Sequence, residues 1–171
     1  LEDAGVSGLK LKLGYMSSDA VQSAQALLIQ EQLKEVGVTV ELAGGDGTAI
    51  ANAMKDPDNE YDMYLGGYIM GIDPDTFSSL FENDGAYNYM HYSGYDTIDQ
   101  LFEEGRSELD ESARKETYAK LQAAVQDTGA FYPIISNNKI LVVNNRIQGV
   151  EDTGLVPVYT FEDTSSLKIA E

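Results

Sequence analysis

Cysteine and tryptophan are absent from the 171 residues, histidine occurs once, at His91, and lysine and arginine together number only 11. Without cysteine there are no disulfides, no thiolate-bound zinc and no Cys nucleophile, and a Ser-His-Asp triad has only His91 to build on. The few basic residues face 29 acidic ones, a formal net charge of −18, which repels phosphate backbones and anionic lipid surfaces and disfavours nucleic-acid partners. The acids are spread along the chain as a solvated surface, not gathered in a tail. No run approaches the ~18 apolar residues of a membrane span, and Leu1-Glu2-Asp3-Ala4-Gly5 lacks the basic and apolar regions of a signal peptide. Those first residues read as the end of a helix, so the chain is expected to be a fragment. What is present, 43% hydrophobic and 23% charged residues over one domain's length, suits a globular fold with its own core.

Leu9-Lys10-Leu11-Lys12-Leu13-Gly14-Tyr15 alternates with period two and predicts a half-buried strand. Asp19 with Gln22 forms a capping pair for a helix whose apolar face is Val21, Ala24, Leu28, Leu33 and Val36, ended by Gly37. Val38 to Leu42 follows as a second strand, parallel to the first through the helical crossover. Gly44-Gly45-Asp46-Gly47 reads as a turn, since it lacks the spacing of a phosphate loop. A short helix over residues 48–55 carries Ile50 and Met54, and Tyr61 to Tyr68 predicts a third, more buried strand. Asp56 to Glu60 alternates acids like a calcium loop but has Tyr61 where that loop needs glycine, and so reads as a solvated turn. Further on, Ile98, Leu101 and Phe102 mark one helix, and Ala113, Tyr118, Leu121 and Val125 a longer one capped by Gly129. Phe131 to Ser136 and Lys139 to Asn144 predict a hairpin through Asn137-Asn138, with Phe131 in the core, and Leu155 to Tyr159 a last edge strand at Pro157. Strands alternating with helices predict one α/β domain over residues 1–171 around a mixed β-sheet flanked by helices.

Chemistry has few places to sit. Asp73 and Asp75 are a carboxylate pair for acid-base work, yet two acids astride Pro74 more often form a turn and cap the helix that follows. His91 is a candidate proton shuttle or metal ligand without a second histidine beside it. No nucleophile, base and oxyanion donors assemble, so neither an enzyme nor a metal or cofactor site is expected. The density of glycine and aromatics at Gly66, Gly67, Tyr68 and Gly71, then Phe77, Tyr87, Tyr89, Tyr92 and Tyr95, suits a cleft for a small molecule or peptide, with Phe77 and Phe81 assigned to the core.

These residues resemble the extracellular solute-binding proteins of peptide/nickel ABC importers, family five. The resemblance runs from Leu9-Lys10-Leu11 through Ile29 to Val38 and on to Asn144-Asn145-Arg146-Ile147-Gln148-Gly149-Val150. Its most specific parts are Tyr61-Asp62-Met63, Gly67-Tyr68 where the family often has Gly-Trp, Asp73-Pro74-Asp75, Asn88-Tyr89, Tyr92-Ser93, and Asp110, Arg114, Tyr118 and Gln122 at spacing four. It implies a periplasmic-binding-protein-like lobe, the second of two hinged over a cleft, in an extracytoplasmic protein anchored as a cell-surface lipoprotein or held in the periplasm. The implied partners are an oligopeptide or other small solute, the permease subunits and the first lobe of the same parent protein. The implied ligand-binding residues are Gly67, Tyr68, Ile69, Met70, Gly71, Asp73, Tyr89 and Tyr92, with Tyr68 at the end of a buried strand and its ring stacking on ligand instead of filling the core. The family's Asp that pairs with a peptide α-amine falls at Gly71 here, leaving Asp73 or Asp75 for that role. An oligosaccharide or chelated metal is the alternative ligand within the family, and a hydrolase using Asp73 and Asp75 the alternative outside it.

Overall fold

The structure is a computed structural model that describes residues 5–69, 71–91, 95–138, 140–156, 160–161 and 163–170. The chain groups into two compact units, Leu1–Gly67 and Tyr68–Glu171.

In the first unit, β1 (Lys10–Met16) lies parallel to β2 (Thr39–Gly45) over seven residues, from Lys10 opposite Thr39 to Met16 opposite Gly45. The helix between them, α1 (Ala20–Glu35), makes the strand-helix-strand unit that the alternation predicts. Leu13, Val38, Val40 and Ala26 are buried, with Leu11, Ile29, Leu33 and Leu42 packed around them. The residues of alternate parity, Lys10, Lys12, Thr39 and Glu41, line an open cavity of about 280 Å3 together with Leu11 and Asp62. Asp19 caps α1 by accepting from the Val21 and Gln22 amides at 2.8 and 3.1 Å. Gln22 does not close the expected box: its Oε1 accepts from the Met16 amide at 2.8 Å, tying the helix start to the end of β1.

The buried face of α1 also differs from the expected one. Val21, Leu28 and Val36 are exposed, and Ala26 is buried in their place. The helix is apolar on two sides, and the side that carries Ala26 allows its backbone closest to the sheet. Gly37, at φ +83, ends it in the left-handed region as expected.

Gly44 and Gly45 belong to β2 rather than to a turn, and Asp46 caps α2 (Gly47–Ala53), which buries Ile50. The expected third strand over residues 61–68 shrinks to β3 (Met63–Tyr64), parallel to β1 on the side away from β2. Only the Asp62 and Leu65 amides extend its pairing, to the Lys12 and Gly14 carbonyls.

The second unit is built on α4 (Asp96–Ser107) and α5 (Glu111–Asp127), with a 3-10 turn at Pro74–Phe77 running into the one-turn helix α3 (Ser78–Phe81). Ile98, Leu101, Phe102, Tyr118 and Leu121 pack with Leu80 and Phe81 into its core, as the helical spacing predicts, and Gly129 at φ +65 follows α5. The predicted hairpin does not form: among the described residues of 131–144 there is no strand, and Tyr132, Ile140 and Val142 are 84 to 90% exposed. Phe131, assigned to the core, is 39% exposed and keeps an edge contact with Phe81 at 5.2 Å. Strand propensity is a preference for a half-buried pleated surface, and no neighbouring strand among the described residues supplies one.

Antiparallel pairs join β4 (Ile147–Gln148) to β7 (Lys168–Ile169) and β5 (Leu155–Val156) to β6 (Thr160–Phe161). The rest of the expected last strand, residues 157–159, lies outside the described residues. The architecture is α/β, with helices and with both parallel and antiparallel strand pairs. No helix among the described residues is long and apolar enough to cross a membrane.

Candidate functional site

Leu65 is the last buried residue of the β3 segment, and Gly67 has no atom within 4 Å of where a Cβ would stand. Beyond it, in the second unit, Tyr68 begins a loop that returns on itself at Phe77. The Tyr68 ring stacks on Phe77 with centroids 5.6 Å apart, and its hydroxyl donates to the Thr76 carbonyl at 2.6 Å while lying 2.9 Å from Ser79 Oγ. The strand stops four residues earlier, at Tyr64, so Tyr68 is not at a strand end, and its ring packs against the unit's core. Gly71 lies against Thr76, whose Oγ1 would be 3.1 Å from a Cβ there and which itself donates to the Asp73 carbonyl. Between these fixed points Ile69 and Ile72 are 74% and 81% exposed. Met70 and Tyr92, the other two candidates on this stretch of chain, lie outside the described residues.

The Asp-Pro-Asp sequence does the local work that its spacing predicts. Asp73 caps the 3-10 turn by accepting from the Asp75 amide at 2.8 Å, with Pro74 in the first position, where no amide is needed. Two arginines from the core helices then fasten the turn. Arg114 of α5 sets Nη2 2.8 and 2.9 Å from the two Asp73 carboxylate oxygens, donates Nε to the Gly105 carbonyl at 2.8 Å, and lies 5.0 Å over the Tyr118 ring. Arg106 of α4 forms an ion pair with Asp75 (Nε to Oδ1, 2.9 Å), with Glu82 at 2.6 Å and with Glu103 at 3.4 Å. The Asp75 amide, and after it Arg114, hold the Asp73 carboxyl below the usual carboxylate range. The two acids thus face different arginines, and both fasten the turn to the core helices.

Tyr89 belongs to a separate turn, where its ring meets Tyr87 edge-on at 5.9 Å. Exposed His91 has φ +49 and donates its amide to the Asn88 carbonyl at 3.2 Å. Among the described residues no group of three or more His, Asp and Glu is placed to hold a metal ion. Sequence reasoning passed over the two arginines as site residues. The one local sign of them is that Arg114 and Tyr118 share a helical face, one turn apart.

Comparison with known proteins gives this geometry a family. The sequence profile described as bacterial extracellular solute-binding proteins, family 5 Middle, matches residues 1–89, just over half of the 171. The solved ABC transporter substrate-binding protein CtaP of Listeria monocytogenes is 37% identical with a TM-score of 0.86, over 99% of this chain and 35% of that one. The peptide transport periplasmic protein SapA of Haemophilus influenzae is 26% identical, over 85% of this chain and 27% of SapA. DppA of Helicobacter pylori, solved with the peptide STSA, shares the fold at a TM-score of 0.69 and 18% identity, over 100% of this chain and 33% of that one. The chain therefore belongs to the bacterial extracellular solute-binding proteins of family 5, and its fold is that of a periplasmic-binding-protein-like lobe. It spans about a third or less of the length of these relatives.

Proposed function

We propose that residues 1–171 form one ligand-binding lobe of an extracytoplasmic binding protein that takes oligopeptides for an ABC importer. The ligand joins this lobe to a first lobe, closure buries it, and the closed form is presented to the permease. The protein works by binding, without catalysis, and is held at the cell surface as a lipoprotein or free in the periplasm. The observation that carries the reading is the loop from Tyr68 to Asp73. It is pinned at Tyr68 and at Asp73, yet turns Ile69 and Ile72 outward on a chain of net charge −18. Two exposed isoleucines on either side of Gly71 offer apolar contact and close backbone approach, which an extended peptide needs. Gly67, Tyr68, Ile69, Met70, Gly71 and Asp73 would line the ligand, joined by Tyr89 and Tyr92. The names of SapA and of DppA with its peptide favour the same class of ligand.

Native mass spectrometry of the full-length polypeptide, purified without denaturation, tests this. Bound masses that fragment into amino-acid series are expected. A bound carbohydrate or metal chelate in their place would overturn the choice of peptide.

A further inference from the structure

A peptide with a free amino terminus carries a cationic ammonium, and a carboxylate not already matched to another cation is the side chain that best receives one. The loop between Tyr68 and Phe77 has two carboxylates, and each already faces an arginine. Asp73 holds Arg114 Nη2 with both oxygens, at 2.8 and 2.9 Å, and Asp75 lies 2.9 Å from Arg106 Nε. Arg114 has little freedom to leave. Its Nε is bonded to the Gly105 carbonyl, its guanidinium rests on the Tyr118 ring, and the helices it bridges hold the core of the unit. Among the described side chains of the loop, Ile69, Ile72, Asp73 and Thr76 are exposed; Asp73 is the one carboxylate of the four and is the one Arg114 occupies, while the two isoleucines accept no hydrogen bond.

We infer that Arg114 is a specificity-determining positioning residue: by occupying Asp73 it makes this loop read its ligand through apolar contact, indifferent to whether the peptide amino terminus is charged. The inference rests on the reading of the loop as a peptide site.

Two libraries of random-sequence tetrapeptides, identical except that one is N-acetylated, are titrated at neutral pH into the full-length polypeptide that contains this chain. The wild type binds both with dissociation constants within about threefold of each other, well under the tenfold that 1.4 kcal/mol would give. Arg114→Met strips Asp73 of its cation and shifts the ratio about tenfold towards the free-amine library, whereas Arg114→Lys, which keeps a cation there, restores the wild-type ratio. A purely structural role would weaken both libraries alike and leave the ratio unmoved. A wild-type preference of tenfold or more for the free amine overturns the inference while leaving peptide binding intact. So does an Arg114→Met protein that binds both libraries in the wild-type ratio. If Arg114→Met does not fold, the wild-type ratio decides alone. Binding of neither library by the wild type overturns the peptide reading itself, and this inference with it.

Discussion

Tyr68 has two environments that pull in different directions. Read as a ligand-stacking aromatic at a strand end, it would cost the fold little to remove. In the structure its ring lies on Phe77 and its hydroxyl closes the loop onto Thr76 and Ser79. Tyr68→Phe keeps the stack and loses the hydroxyl bonds, and since Ser79 Oγ already donates to the Thr76 carbonyl the groups left behind retain a partner. The expected loss is about 0.5 to 1.5 kcal/mol. Tyr68→Ala also loses the ring pair and part of the side chain's burial, about 2 to 3 kcal/mol in all. Urea denaturation with an unchanged m-value separates the two. If Tyr68→Ala costs no more than Tyr68→Phe, the ring is not packed and belongs to the ligand alone.

Among the elements, α4 and α5 were legible because each has one apolar face. Ile98, Leu101 and Phe102 recur on one, Tyr118 and Leu121 on the other, and all five are buried. The α1 helix was legible as a helix but not in its orientation, because Val21 and Leu28 on one side compete with Ile29 and Leu33 on the other and the local pattern does not choose. The loop shows the same boundary. Asp73-Pro74-Asp75 reads as a cap from three residues, whereas its fastening to Arg114 joins positions 41 apart, beyond the reach of any local pattern. The α4–α5 contact also rests on something no periodicity reports: Gly105, where a Cβ would stand 2.8 Å from Tyr118 Cζ. Tyr118 cannot swing aside easily, with Phe102 edge-on to its ring and Arg114 over it. Gly105→Ala gains about 1 kcal/mol of helix propensity and forces overpacking worth about 1 to 3 kcal/mol. The midpoint of thermal unfolding should therefore fall by a few degrees. A rise would mean that propensity outweighs the clash and that the two helices pack more loosely than this distance requires.

At the scale of the whole molecule, two features oppose each other. The net charge of −18 keeps copies apart, while the ribbon from Phe131 to Val142 leaves Tyr132, Ile135, Ile140 and Val142 between 65 and 90% exposed, with no strand among its described residues. A β-branched, unpaired segment of this kind invites another strand. Repulsion reaches about 30 Å at 0.01 M salt and about 3 Å at 1 M, whereas burial of apolar surface does not weaken as salt rises. The 171-residue chain on its own should therefore sediment as a monomer at low salt and associate reversibly as sodium chloride is added. Replacing both Ile140 and Val142 with lysine takes the net charge from −18 to −16, which by itself would favour association. If the double variant nonetheless stays monomeric at high salt, the ribbon is the contact and its apolar side chains drive the pairing. If it associates as readily as the wild type, or if salt has no effect on either, the ribbon is not what brings the copies together.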